Sequence, residues 1–399
     1  MNQDSQILFT SKTIGTVTIK NRFVRSATFE NAANKDGSIG EEYIKIYEKL
    51  SKGEIGLIIT GMIHTSDDGR SYHRQAGLHS DATIPGFSAM NETVHKNGCR
   101  IFAQLCHGGR QSMVLGLRPP APSAGRPDLT YRVYPRAMSN EEILFAIKTL
   151  AVGAKRAQKA GFDGIQIHAA HGYLISEFLS PYFNRRTDEW GGNPEKRFNL
   201  LKRVYESMRE AVGSAYPITV KINIEDHTPK PGVTLEETAG YIQKLVHLGI
   251  DAIEISCGTV SFSLFNQCRG NVPVRALAKV MIKPIQPVTR FVLKREFPEE
   301  KYVFYENYNL WACNDIKPLM GNTPLILVGG LRNYESMEKI VREQKADFVS
   351  LCRPFIRQPM IVKSWRNGDI KKITCNNCNN CFGYLPLDES IQCNLNRDF

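Results

Sequence analysis

Eight apolar runs of strand length alternate with longer segments of helical periodicity, and this alternation constrains the fold more than any other feature. The runs span residues 23–27, 55–63, 99–105, 162–168, 217–224, 250–256, 324–330 and 347–352. The clearest helical segments span 41–53, 84–98, 140–161, 195–213, 234–249 and 333–346. Most runs are continuous rather than alternating, as in strands buried on both faces. Repeated βα units predict a parallel sheet, and eight strands close a (β/α)₈ TIM barrel of the α/β class. A doubly wound sheet is the alternative, weakened because no G-x-G-x-x-G follows the first strand.

Local signals mark the ends of several of these helices. Thr234 and Glu237 have the spacing of a capping box, which opens a helix. Gly161, Gly213 and Gly249 stand where a helix commonly ends in a left-handed residue. These signals support the helical half of the alternation.

Two regions exceed a minimal barrel, and they define the expected domain organisation. Residues 258–322 separate the sixth and seventh runs by far more than one helix requires, and a loop of this length is usually functional, often a lid. Residues 371–399 form a tail rich in Cys and Asn. We therefore expect a barrel over residues 1–370, with 258–322 as an insertion or lid, followed by a separate cysteine-rich segment.

Composition excludes some classes of protein and disfavours others. Lys and Arg outnumber Asp and Glu by 51 to 40, a formal charge of +11. The basic residues are scattered, which favours anionic small molecules over nucleic acid as partners. No run reaches the ~18 apolar residues of a membrane span. The first ten residues lack the pattern of a secretion signal, so we expect a cytoplasmic protein without nucleic-acid or membrane partners.

Four of the ten cysteines lie close together in the tail, at Cys375, Cys378, Cys381 and Cys393. Clustered cysteines in a chain without an export signal suggest metal binding rather than disulfides. Three cysteines at two-residue gaps with a distant fourth favour a [4Fe–4S] cluster. Zinc, which prefers two separated pairs, and the absence of any metal remain alternatives. A nucleic-acid-binding protein with a structural zinc site would also agree with the positive charge and the cysteines. It would not explain the polar residues at the ends of the apolar runs.

Polar residues gather at the carboxyl ends of the runs, where barrel enzymes place their chemistry. They are Gln104 and the H-G-G-R stretch 107–110 after the third run, His168, His171 and Tyr173 after the fourth, Gly329 and Gly330 after the seventh, and Arg353 after the eighth. Glycines after strand seven and an arginine after strand eight suit a phosphate. Lys221 lies inside the fifth run, and a lysine buried there requires an anionic partner.

These motifs resemble the old yellow enzyme family of FMN-dependent, NAD(P)H-linked oxidoreductases. The resemblance covers about residues 8–365 and rests on segments 21–37, 103–111, 161–197, 218–226, 325–330 and 350–359. The most specific part is H-x-x-H-G-Y-L-x-x-x-F-L-S-P, which begins at His168 and is followed by N-x-R-x-D-x-W-G-G. The tail resembles the iron–sulfur branch that includes 2,4-dienoyl-CoA reductase and trimethylamine dehydrogenase. Longer members of that branch continue into a dinucleotide-binding module, which we expect to be missing here.

The resemblance implies an FMN site at the barrel mouth. Ala27, Thr28 and Met62 would line the flavin ring, and Gln104 would bind its pyrimidine edge. Lys221 would lie beside N1 and O2 in place of the usual arginine. Gly329, Gly330 and Arg353 would hold the phosphate. Two departures affect this site: Phe29 replaces a Thr or Cys that many members place near N5, and Cys352 replaces the glycine before the phosphate arginine.

The resemblance also implies a reaction. NAD(P)H would reduce FMN, and the flavin would reduce the C=C bond of an α,β-unsaturated carbonyl compound. His168 and His171 would bind the carbonyl oxygen, and Tyr173 would protonate the α-carbon. An FMN-dependent amine dehydrogenase is the alternative, since it needs an aromatic cage for a cation and the insertion is rich in aromatics. We also expect that the protein can form a homo-oligomer.

Overall fold

The computed structural model describes residues 3–114, 116, 118–125, 133–383 and 385–395, and within them eight parallel strands close into a barrel. The strands are β1 (Phe23–Arg25), β2 (Leu57–Ile59), β3 (Arg100–Cys106), β4 (Gly164–Ala169), β5 (Ile218–Asn223), β6 (Ala252–Ser256), β7 (Leu325–Val328) and β8 (Phe348–Leu351). Each strand pairs in parallel with the next, and Leu351 of β8 lies opposite Arg25 of β1, which closes the ring. The predicted TIM barrel is confirmed.

An apolar core fills the barrel and seals its amino-terminal end. Phe102, Ile326 and Phe348 belong to this interior cluster and are completely buried. An antiparallel hairpin, Lys12–Ile14 with Val17–Ile19, adds Ile14 and Ile19 to the same cluster. With one end sealed by apolar side chains, the polar chemistry is confined to the carboxyl ends of the strands.

The outer layer consists of helices, and their ends follow the sequence signals. The long helices are α1 (Glu41–Lys52), α2 (Ile84–Lys96), α3 (Asn140–Lys159), α4 (Pro194–Val212), α5 (Leu235–His247) and α6 (Tyr334–Arg342). Thr234 Oγ1 accepts a hydrogen bond from Glu237 N at the start of α5. Gly161, Gly213 and Gly249 have φ angles of +84°, +84° and +86°, as the C-cap prediction requires.

Shorter elements complete the description. Short helices follow β4 (Leu174–Leu179), β6 (Val260–Gln267, Val274–Ala278, Gln286–Glu296, Cys313–Ile316) and β8 (Arg353–Arg357, Ile361–Arg366), and one lies in the tail (Asn380–Gly383). Short strands span Ile63–His64, Pro120–Ala121 and Arg136–Ala137. Within the described residues, no helix has both the length and the apolar character needed to cross a bilayer.

The long segment between β6 and β7 carries an apolar cluster of its own. Phe265, Val272, Val274 and Tyr302 are buried together, and Phe382 of the tail packs against them. Further along, the segment 313–320 returns to the barrel and buries apolar side chains in the main core. The segment is thus an insertion anchored at both ends, with the cysteine-rich tail docked on it.

Candidate active site

A buried polar network occupies the carboxyl end of the barrel, and its centre is the ion pair between Lys221 and Glu254. Lys221 Nζ lies 3.3 Å from Glu254 Oε2 and donates to Ser26 Oγ at 2.7 Å. Both side chains are almost completely excluded from solvent. The anionic partner that the buried lysine requires is therefore a carboxylate of the neighbouring strand.

The same carboxylate orders the residue expected at the pyrimidine edge of the flavin. Gln166 Nε2 donates to Glu254 Oε2 at 3.0 Å, and Gln104 Nε2 donates to Gln166 Oε1 at 2.8 Å. The second carboxylate oxygen accepts from Ser26 and Ser350 at 2.8 and 2.9 Å. Gln104 and Lys221 thus belong to one hydrogen-bonded unit.

The residues expected to line the flavin ring lie at neighbouring strand ends. Thr28 Oγ1 donates to Ser26 O at 2.9 Å and lies 3.0 Å from Cys352 Sγ. Ala27 packs against the barrel's interior cluster. Met62 is buried in a small apolar group with Cys106 and Tyr173, against which Phe29, Tyr72 and Val260 pack.

His168, His171 and Tyr173 converge after β4. The His168 ring centroid lies 5.2 Å from that of His171 and 4.9 Å from that of Tyr173. His171 adopts φ +66°, an uncommon conformation for a residue other than glycine. That local conformation, and not strand geometry, brings the second histidine back toward the first.

The two histidines differ in how their ring nitrogens are engaged. His171 Nε2 lies 2.7 Å from Ser256 Oγ, and His171 Nδ1 lies 3.0 Å from Gln267 Nε2. His168 Nδ1 is buried and has no hydrogen-bond partner within the described part of the chain. An unpaired buried nitrogen is costly, so His168, unlike His171, gains a hydrogen bond at Nδ1 if a polar group reaches it.

Electrostatics keep these three groups uncharged. Burial lowers the pKa of His168 well below its ordinary value, and Lys221 lowers it further. The pKa of His171 is lowered in the same way by burial, His168 and Lys221. Burial raises the pKa of Tyr173 well above its usual range, assisted by Tyr72, which hydrogen-bonds to it. At neutral pH the site therefore offers neutral imidazoles and a protonated phenol.

The expected phosphate site lies where β7 and β8 end. Gly329 and Gly330 adopt φ angles of +136° and +75°, and their backbone N–H groups have no acceptor among the described residues. A Cβ on Gly330 would lie 2.7 Å from the Tyr308 ring, because the insertion crosses the pair closely. Arg353 is buried, and its hydrogen bonds go to the neutral oxygens of Asn379 and Cys268. Free amides beside a buried guanidinium without a carboxylate fit an anionic group.

The tail cysteines surround one small cavity next to Arg353. Cys375, Cys378, Cys381 and Cys393 all line it. Two further arginines contact the sulfurs: an Arg332 Nη lies 3.7 Å from Cys375 Sγ, and an Arg357 Nη lies 3.4 Å from Cys393 Sγ. In the described part of the chain, no three His, Cys, Asp or Glu side chains are arranged to hold a single metal ion. Four thiols spread around a cavity, with cations beside them, are compatible with a larger anionic cluster.

Several residues of this site were missed by sequence reasoning. Glu254 carried a signal, since a charged residue in an apolar run is as unusual as Lys221. Gln166 is likewise a polar residue within an apolar run. Ser256 and Gln267, which hold His171, and Tyr72, which pairs with Tyr173, gave no signal, because only the folded chain brings them together.

Comparisons with known proteins agree with this geometry. The profile of the NADH:flavin oxidoreductase / NADH oxidase family matches residues 7–275, and the chain belongs to this family. NADPH dehydrogenase of Geobacillus sp. (strain WCH70) is 33% identical over 354 residues, covering 88% of this chain and 92% of that protein. The protein is therefore an oxidoreductase that works with a flavin and NAD(P)H.

Other relatives are longer than this chain. NADH oxidase of Thermoanaerobacter brockii is 32% identical over 398 residues, which cover 98% of this chain and 56% of that protein. The solved complex of 2-naphthoyl-CoA reductase with 2-naphthoyl-CoA aligns with a TM-score of 0.85 at 25% identity, covering 98% of this chain and 57% of that one. The chain thus spans little more than half the length of these two proteins.

Proposed function

We propose that the protein uses NAD(P)H and FMN to reduce the C=C bond of an α,β-unsaturated carbonyl compound. The observation that carries this proposal is the unpaired, buried Nδ1 of His168 beside the Tyr173 phenol. A hydrogen-bond donor and a proton donor side by side are what reduction of an activated alkene requires. The relative that binds 2-naphthoyl-CoA supports an acyl-CoA thioester as one form of that substrate.

The residues at the barrel mouth fit FMN. Gln104 and Lys221 present polar groups to a ring, while Gly329, Gly330 and Arg353 present unpaired amides and a cation to a phosphate. Bound there, FMN supplies the hydride-transfer chemistry between NAD(P)H and the substrate. The protein supplies orientation and charge.

His168 and Tyr173 divide the work on the substrate. His168 donates a hydrogen bond from its neutral imidazole to the carbonyl oxygen, where negative charge develops as hydride reaches the β-carbon. Tyr173 delivers its proton to the α-carbon, and a proton from solvent then restores the phenol, so that the substrate gains one hydride and one proton. Met62, Phe29 and Val260 belong to the apolar group that packs with Tyr173. His171 can bind the carbonyl oxygen only if it breaks its hydrogen bond to Ser256 or Gln267, so we assign it a smaller contribution to substrate binding.

The geometry gives less support to an amine dehydrogenase. Three aromatics of the insertion already lie against the protein's own cations: Arg110 lies over Phe262, Arg269 over Tyr305 and Arg332 over Phe304. An aromatic face engaged by an arginine is not free to cage a cationic amine.

We also propose that the four tail cysteines hold a [4Fe–4S] cluster. All four line one cavity, and the guanidinium groups of Arg332, Arg353 and Arg357 around it suit the negative charge of such a cluster. Arg353 lies between this cavity and the expected phosphate site, so the two cofactors would be neighbours.

Single-turnover kinetics test the main proposal. The FMN-loaded enzyme is reduced with NADH or NADPH and mixed with enones, enoyl-CoA thioesters or amines. We expect reoxidation by an unsaturated carbonyl compound, slowed about 10²–10³-fold in His168→Ala, which removes the donor, and unchanged in His73→Ala, an exposed histidine. Reoxidation at the wild-type rate in His168→Ala would refute the assigned role.

A further inference from the structure

Glu254 joins Lys221 to Gln104 within the buried polar network at the carboxyl end of the barrel. It is fully excluded from solvent and has four partners: Ser26, Ser350, Gln166 and Lys221. We propose that Glu254 is a positioning residue that sets both the hydrogen-bonding polarity and the charge presented to FMN. This inference rests on the proposed FMN site.

The polarity follows from the chemistry of the three side chains in series. An ionised carboxylate only accepts hydrogen bonds, so Gln166 must turn its Nε2 toward Glu254. Its Oε1 then faces Gln104, which must turn its own Nε2 toward Gln166. The carbonyl oxygen of Gln104 then remains available to a ligand. Through the two amide groups, Glu254 thus orients Gln104 so that it would accept a hydrogen bond from an N–H of the flavin.

The charge follows from the ion pair. Without Glu254, the anionic reduced flavin would be the remaining anionic partner of Lys221, and the full positive charge of the lysine would favour that form of the flavin. Glu254, 3.3 Å from the ammonium, makes the pair neutral overall. An opposite charge within ~4–6 Å typically changes the stability of a charged group by a factor of ten or more. Glu254 therefore lowers the reduction potential that Lys221 would otherwise impose.

Two variants of the holoenzyme separate the effect of Glu254 on hydrogen-bond polarity from its effect on charge. Glu254→Gln removes the negative charge and also allows either amide orientation. Gln166→Leu breaks the series of amides and leaves the ion pair intact. Thr219→Val is the matched control, because Thr219 is a buried β5 residue whose hydroxyl donates to Ile165 O, away from the Glu254 network.

The measurements are a spectroelectrochemical titration of the flavin and the dissociation constant of FMN from the apoprotein. For Glu254→Gln we expect the equilibrium constant for two-electron reduction to rise at least about tenfold, which is a potential about 30 mV higher. For Gln166→Leu we expect FMN to bind roughly three- to tenfold more weakly, with the equilibrium constant for reduction changed less than about twofold. Thr219→Val should match the wild type in both.

A wild-type potential in Glu254→Gln together with wild-type FMN affinity in Gln166→Leu would overturn the proposal. If Glu254→Gln yields no soluble holoenzyme, Glu254→Asp is titrated instead, since its shorter chain cannot reach both Gln166 and Lys221. Unchanged potential and affinity in Glu254→Asp would equally overturn it. Failure of the wild type to bind FMN would instead contradict the proposed function, so the two failures are distinguishable.

Discussion

Arg353 donates a hydrogen bond from Nη1 to Oδ1 of Asn379 at 2.5 Å, and this contact joins the end of β8 to the cysteine-rich loop. Arg332, just after β7, pairs in the same way with Asn377. Both asparagines adopt φ +60°, which curls the loop between its cysteines. The loop therefore rests on the two arginines that follow the last two barrel strands.

Arg353→Ala should weaken FMN binding and loosen the tail together. A charge-assisted contact is worth about 1.5–3 kcal/mol, or roughly a 10- to 150-fold rise in the dissociation constant. Flavin fluorescence titration of the apoprotein gives the affinity, and limited proteolysis reports on the tail. Arg357→Ala is the control for the FMN affinity, since the hydrogen bonds of Arg357 within the described residues go to the tail residues Thr374 and Cys393. Wild-type FMN affinity in Arg353→Ala would remove this arginine from the phosphate site.

Tyr173→Phe should split the two half-reactions. The variant keeps the buried ring and loses only the proton, so enone reduction should slow about 10²–10⁴-fold. Flavin reduction by NAD(P)H needs no such proton and should remain normal, as should the reduction of quinones. Stopped-flow absorbance measures both steps, with Tyr134→Phe, an exposed tyrosine, as the control. Two unchanged half-reactions would exclude Tyr173 from the mechanism.

Protein purified without oxygen should contain iron and sulfide bound by the tail cysteines. A [4Fe–4S] cluster predicts about four of each per chain. Cys378→Ser removes one of the expected thiolate ligands and should reduce the iron content sharply, whereas Cys313→Ser, a buried cysteine on the barrel side, should not. Stoichiometric zinc, or neither metal in an oxygen-free preparation, would contradict the cluster.

Folding stability should fall as the pH drops below about 6.5, because buried histidines must stay neutral in the folded state. Burial lowers the pKa of His64 to about 3. Between that value and the unfolded pKa near 6.5, only the unfolded chain binds the proton, so stability decreases as the pH falls. One such group accounts for about 1.4 kcal/mol per pH unit. Urea unfolding at several pH values between 7.5 and 5 measures how steeply the free energy of unfolding changes with pH. The slope counts the protons taken up on unfolding, and His64→Asn should lower that number by about one. An identical slope in the variant would show that His64 is not the group responsible.

The barrel was predictable because its signals are local and repeated. The apolar runs ended close to the observed strands, and the Thr234 cap and the glycines after α3, α4 and α5 acted through neighbouring residues only. Lys221 was also readable, since a charge in an apolar strand demands a partner. The identity of that partner was not, because Glu254 is 33 residues away along the chain and meets Lys221 only when β5 and β6 pair in register.

The sequence by itself determined the barrel, the positions of Gln104, His168, Tyr173 and Arg353 at its strand ends, and the grouping of cysteines in the tail. Only the tertiary structure decided that Nδ1 of His168 is buried without a polar partner among the described residues, while His171 is held by Ser256 and Gln267. It also decided that the cysteine loop docks against Arg332 and Arg353. The physical reason is that strand positions depend on periodicity along the chain. Hydrogen-bond partners depend on register and on the path of the insertion between β6 and β7, which long-range packing alone sets.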